Sequence, residues 1–211
     1  EISITFLFLV ALSQLSLAHV TAVLQAVPLI LTAFASMILR EKVGWRRWMA
    51  VVTGFIGVML IIKPGLDDFS VFSLSVLMAA ILIAARDMLT RQLSVQTPSF
   101  FVALVTALAV TVAGGMATVA TGWHAPSLSS WFLMGGAALA IPAAYVLSIA
   151  TMRVGDVSFV TPFRYTAVVF ATILSSLLTR QLPDGLSFLG TILVIAAGIY
   201  CLHREHLPAT Q

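Results

Sequence analysis

Apolar runs about as long as a bilayer is thick follow one another along this chain, separated by short polar interruptions. A helix of about 17–25 apolar residues crosses a hydrocarbon layer of about 30 Å. Eight such runs are predicted as membrane helices: 2–18, 20–39, 45–63, 70–90, 99–121, 129–152, 157–179 and 185–203. The breaks REKVGWRR, KPGLDD, RQLSVQTP, TGWHAPSLSS, RVGD and RQLPDG collect charge, glycine and proline, as turns do. The first boundary is the faintest, since LSQLSLAHVT offers only a polar nick and places His19 at the junction. All four tryptophans, Trp45, Trp48, Trp123 and Trp131, fall at run ends, where amphipathic rings meet the membrane interface. The pattern predicts an all-α integral membrane protein built as a multi-helix bundle.

Composition sharpens this picture. Of 211 residues, 60% are hydrophobic and 9% charged, against about 45–50% and about 25% in soluble domains. So little polar surface cannot cover a chain folded in water. The net charge of +3 is spread over short loops with no polybasic block, which excludes a nucleic-acid footprint. The single cysteine, Cys201, excludes an internal disulfide and a cysteine-based metal site. No cofactor is expected. No HExxH, GxSxG or phosphate-cradling motif occurs, so an enzyme is not expected either. The first residues, EISITFLFLV, already read as part of a span, which suggests a fragment of a longer protein.

If the runs alternate in direction, one side receives Arg40, Lys42, Arg46, Arg47, Arg91, Arg153 and Arg204, and the other only Lys63 and Arg180. The excess of basic loops marks the cytoplasm. The expectation is a multi-pass protein of the inner (plasma) membrane with a cytoplasmic C-terminus.

A weak internal repeat is visible. HVTAVLQAVPLILTAFASMILREKVGWRRWMAVVTGFIGVMLI is similar to DVSFVTPFRYTAVVFATILSSLLTRQLPDGLSFLGTILVIAAGIYCL, with Gly57 corresponding to Gly198. The second and third runs thus correspond to the seventh and eighth. An odd number of crossings separates the copies, so one is upside down relative to the other. Inverted repeats of this kind enclose the substrate sites of many secondary transporters.

These residues carry a resemblance to a known family. VTAVLQAVPLILTAFASMILREKVGWRRWMAVVTGFIGVMLIIKPG resembles the first-half signature of EamA-type members of the drug/metabolite transporter superfamily. RVGDVSFVTPFRYTAVVFATILSSLL with LGTILVIAAGIY resembles the second-half signature. The resemblance implies ten helices in two inverted halves, of which the chain would supply the third to the tenth. It divides the chain into a partial first repeat, 1–64, and a second repeat, 69–206. One departure stands out: Glu41 of the first half corresponds to Gln181 in the second.

Candidate binding residues lie on the two corresponding helices. Helical spacing of about 100° per residue places Thr161, Arg164, Tyr165, Thr172, Ser175, Ser176 and Thr179 on one side of the seventh run. Phe170, Leu174, Leu177 and Leu178 lie on the other. Lipid gives no reason for such a polar stripe, whereas a polar passage does. Arg164 would sit roughly 10 Å inside the span. Three readings of it stay open: attraction of an anionic substrate group, an ion pair with Asp87, or snorkelling to the headgroups. In the second run Thr21, Gln25, Pro28, Thr32 and Ser36 share a face, with helix–helix packing as the alternative to substrate contact. Asp87 can alternatively pair with Arg91, one turn away. Pro28 and Pro142 lie near the middle of their runs and are read as kinks or gating points. Paired glycines, Gly114–Gly115 and Gly135–Gly136, with Gly54 and Gly57, are read as sites of close helix approach.

The function expected is secondary transport of a small organic metabolite by alternating access. A drug or toxic-compound efflux pump is the alternative, and an intramembrane enzyme or assembly subunit a distant one. The partners expected are a small-molecule substrate and the lipid bilayer, with a homodimer left open.

Overall fold

A computed structural model describes residues 1–38, 44–64, 69–91, 99–122, 125–154, 166–179 and 184–205. All regular structure among these residues is α-helical. The segments are α1 (Ile2–Leu12), α2 (Leu17–Leu24), α3 (Val27–Ile38), α4 (Trp45–Ile62), α5 (Phe72–Arg91), α6 (Ser99–Thr121), α7 (Leu128–Val154), α8 (Thr166–Thr179) and α9 (Gly185–Glu205). They fall into two compact units, α6 with α7 in one and the remaining helices in the other. Three stretches, Leu17–Ile38, Phe72–Leu89 and Phe100–Thr121, are long and apolar enough to cross a membrane. Five further helices are apolar over shorter lengths.

Turn chemistry explains where the helices stop. Asp184 caps α9, and Lys63 ends α4 in the left-handed region, its N–H closing on the Met59 carbonyl. The α6 bounds agree with the sequence expectation, and those of α4, α5, α7 and α9 lie within one or two residues of it. The first boundary differs. The chain turns over Ser13–Ser16 rather than at His19, because Ser13 Oγ donates to the Val10 carbonyl and Ser16 Oγ accepts from the His19 N–H, capping α2. His19 therefore belongs to the first turn of α2.

The second run differs more. It is two helices, broken at Gln25 and Ala26. The Gln25 and Ala26 N–H groups bond three residues back, to Ala22 and Val23, which tightens and ends α2. Pro28 has no N–H to extend the ladder from Leu24, and Leu29 N–H bonds the Ala26 carbonyl to start α3. Pro28 thus lies beside a two-residue interruption of the α-helical ladder, where the sequence had suggested a kink or gating point.

In the larger unit the core is a continuous cluster around Val20, Val23, Leu29, Val58, Ile61, Val76 and Val194, all fully buried. The most extensive helix pair is α4 with α9. Its register is antiparallel: Gly54 lies against Ala197, Gly57 against Val194 and Gly190, and Gly190 against Ile61. A Cβ built on Gly190 would stand 2.5 Å from the Gly57 carbonyl oxygen, so the two backbones touch. Lipid tails are as apolar as leucine and give no hydrophobic drive between helices, so close backbone approach supplies the attraction. Gly54 and Gly57 act as expected. The paired glycines do not: within the α6–α7 unit, a Cβ on Gly114, Gly115, Gly135 or Gly136 meets no atom within 4 Å. The two helices of that unit present apolar side chains outward along most of their length, Leu108, Met116, Phe132 and Leu139 among them.

Candidate functional site

The broken run and α8 form the first part of the site. α2 packs on α8. On α8 the buried positions are Val168, Ala171 and Ser175, with Thr172 and Ser176 half-buried. Phe170, Leu174, Leu177 and Leu178 are exposed. The small and polar side of α8 is its packed side, and the bulky apolar side faces outward.

Gln25 is buried at the end of α2. Thr21 and Thr32 are half-buried, and each hydroxyl donates to its own helix one turn back: Thr21 Oγ1 to the Leu17 carbonyl at 2.7 Å, Thr32 Oγ1 to the Pro28 carbonyl at 2.9 Å. These bonds satisfy the hydroxyl protons and leave the oxygen lone pairs to accept from a ligand. Thr21 lies on α2 and Gln25 is its C-terminal cap residue, and α2 is the helix that packs on α8. Thr32 lies beyond the break on α3, which packs on α5 and α4. Thr161, Arg164 and Tyr165 lie outside the described residues, as do Glu41, Gln181 and Trp123.

Asp87 has a cationic partner in Arg86, its chain neighbour on α5: Arg86 Nη2 donates to Oδ1 at 2.6 Å and Nε at 3.0 Å. The side chain of Arg91 is outside the described set. Pro142 lies inside α7, which continues through it from Leu128 to Val154.

A second polar group, not foreseen as a unit, occupies one end of the larger unit. Lys63 Nζ reaches Asp184 Oδ2 at 2.9 Å, joining the end of α4 to the start of α9. The Lys63 side chain is 8% exposed and that of Asp184 47%. Asp184 also caps α9: its Oδ2 accepts from the Leu186 N–H at 3.1 Å and its Oδ1 from Ser187 Oγ at 2.6 Å. Each charge is complemented by its helix end, cation at a C-terminus and anion at an N-terminus. Desolvation pushes the Asp184 carboxyl up, but the Ser187 hydroxyl, the Lys63 ammonium and the Ser187 N–H outweigh it and hold it well below the usual carboxylate range. Beside this pair, His19 Nε2 and the Oγ of buried Ser73 are hydrogen-bonded at 3.0 Å, joining α2 to α5. His19 lies within electrostatic reach of both Lys63 and Asp184, so the two ties belong to one cluster. Asp184 ahead of an apolar run is a recognisable cap signal, but its pairing with a lysine so far back in the chain leaves no trace in sequence. Among the described residues no group of three or more His, Cys, Asp or Glu side chains could hold a metal ion.

Comparison with known proteins fits this architecture. A profile of the EamA-like transporter family matches residues 2–63 and 71–202. The chain is 32% identical over 186 residues to a riboflavin transporter of Vibrio cholerae, covering 87% of this chain and 62% of that protein. It is 27% identical over 192 residues to an S-adenosylmethionine uptake transporter of Rickettsia prowazekii, covering 88% and 63% respectively. A riboflavin transporter of Rhizobium johnstonii is 28% identical over 190 residues, covering 86% and 62%. The chain thus spans less than two thirds of the length of these relatives. No solved structure matches it. With the family profile extending over both halves of the sequence, the chain belongs to the EamA-like transporter family of membrane proteins.

Proposed function

We propose that the protein is a secondary transporter that carries a small organic metabolite across the inner membrane by alternating access between two inverted repeats, 1–64 and 69–206, with its C-terminus in the cytoplasm. One observation carries the reading: a helix broken near the middle of an apolar span at Gln25–Ala26, its first half packed on the small and polar side of α8. Broken helices in membranes occur where backbone polar groups meet protein or a cavity, and transporters build substrate sites on them. The antiparallel register of α4 and α9, the last helices of the two halves, is what inverted copies require. Thr21, Gln25, Thr32 and Thr172 are assigned to the passage together with Thr161, Arg164 and Tyr165. Pro28 and Pro142 are assigned to the moving parts. Asp87 and Arg86 form a neutral pair that Arg164 can exchange with. The lipid bilayer is the working environment.

The relatives named for riboflavin and S-adenosylmethionine suggest the cargo class. Both compounds join a fused heterocycle to a hydroxylated chain or ring, and the second adds a carboxylate for which a guanidinium is the natural partner. The test is uptake of radiolabelled riboflavin and S-adenosylmethionine by proteoliposomes of the full-length protein. Accumulation of one of them, unmodified, is expected, with Arg164→Ala lowering it at least about tenfold at unchanged folding. Undiminished uptake would remove Arg164 from the passage. Transport of neither compound, with expression protecting cells against inhibitory drugs, would favour the efflux pump.

A further inference from the structure

Four helix ends meet in the cluster around Lys63: the starts of α2, α5 and α9 and the end of α4. Two ties cross between them. The Lys63–Asp184 ion pair joins α4 to α9, which belong to different halves of the repeat. The His19–Ser73 hydrogen bond joins α2 to α5. Directly behind these polar groups lie buried apolar side chains. Val20, the residue after His19, and Val76, one turn beyond Ser73, are both fully buried.

We propose that Lys63–Asp184, with His19–Ser73 beside it, is a latch that shuts this end of the larger unit and parts whenever the protein opens to that side. The inference rests on the transport reading above. The chemistry suits a reversible closure. Lys63 is buried, so the closed pair is shielded from solvent on the lysine side. Asp184 is half exposed and keeps its Ser187 and Leu186 bonds within its own helix. It can therefore release Lys63 without uncapping α9. A tie between two wholly buried charges would be too costly to open, and one between two exposed charges too weak to hold. This arrangement lies between those limits. It also differs from the Gly57–Gly190 contact on the same two helices, a backbone packing with no polar side chain.

The test reads access rather than transport. In the full-length protein in membrane vesicles, with Cys201→Ser, a reporter cysteine is placed by Val76→Cys and labelled with a membrane-impermeant maleimide from each face. Lys63→Met and Asp184→Asn are each expected to speed labelling from one face by about tenfold, the scale of a local opening equilibrium. Asparagine retains the capping bonds, so that variant separates the ion pair from the cap. Lys63→Arg should label at the parental rate, and the Lys63→Met/Asp184→Asn double variant no faster than either single one, since both cut one tie. Unchanged labelling in Asp184→Asn protein that elutes as a single species would overturn the latch. Faster labelling in a protein that moves neither riboflavin nor S-adenosylmethionine would leave the latch standing and count against the cargo assignment alone.

Discussion

Replacing Gly190 by alanine tests the helix seam on which the larger unit is built. The new Cβ would stand 2.5 Å from the Gly57 carbonyl oxygen, 2.9 Å from Ile61 Cγ1 and 3.1 Å from Leu60 Cβ. Ile61 can shift its side chain, but the oxygen belongs to a helix backbone and cannot turn away. Restoring an ordinary contact of 3.4 Å requires α4 and α9 to part locally by about 0.9 Å. A gap of about 0.5–1 Å forfeits roughly a quarter to a half of the dispersion energy of each contact affected. Overpacking of this kind costs about 1–3 kcal/mol, and a backbone obstacle argues for the upper part of that range. Alanine recovers about 0.8–1 kcal/mol through its helix propensity. The net loss is about 1–2 kcal/mol, which lowers the thermal midpoint by about 2–8 °C for a chain of this size. The assay is thermal unfolding in detergent, followed by size exclusion. Gly114→Ala serves as the control, because within its own unit no atom obstructs the added methyl group and the midpoint should hold or rise. Gly57→Ala with Gly190→Ala should cost less than the sum of the two, since one separation of the helices relieves both. A Gly190→Ala midpoint equal to or above that of the parent would refute the seam.

Two further outcomes follow from the site. The Asp184 carboxyl is held below the ordinary range, so its contribution is complete above about pH 4 and is lost as the pH falls through the lower folded value. The difference in thermal midpoint between the parent and Asp184→Asn should therefore be flat from about pH 8 to pH 5 and shrink only in strong acid; shrinkage between pH 7 and 5 would assign the effect to another group. Pro28→Ala restores an N–H at the break and should leave a folded protein whose uptake falls about tenfold, about 1.4 kcal/mol on the transport barrier. Undiminished uptake would mean that the break takes no part in the cycle.

Much of the fold was legible because the bilayer makes run length informative. The bounds of α4 and α6 follow from apolar length and the flanking turn residues alone. The packed side of α8 was also legible, since Thr172, Ser175 and Ser176 recur at helical spacing among larger apolar residues. The break at Gln25–Ala26 was not. Apolar residues flank it closely on both sides, and Pro28 indicates only that one hydrogen bond is missing. The turn at Ser13–Ser16 was misplaced because the capping role of Ser16 depends on one hydroxyl, and the LSQLSLAHVT stretch carries only a faint polar signal. The glycine pairs of α6 and α7 show the opposite error. Small residues permit close approach without requiring it: Gly54 and Gly57 on α4 have partners that use the space, whereas the pairs on α6 and α7 have none within their own unit. The Lys63–Asp184 tie joins loops that each looked like ordinary interfacial turns.

Lys63 occupies a backbone conformation, φ 53°, that normally goes to glycine. A side chain there carries a torsional cost of about 1–2 kcal/mol, and glycine would relieve it while ending the helix equally well. Lysine at this point sets its ion pair with Asp184 against that cost. Any search for sturdier variants of this protein would meet opposing effects at Lys63→Gly, which relieves that torsion and gives up the ion pair with Asp184.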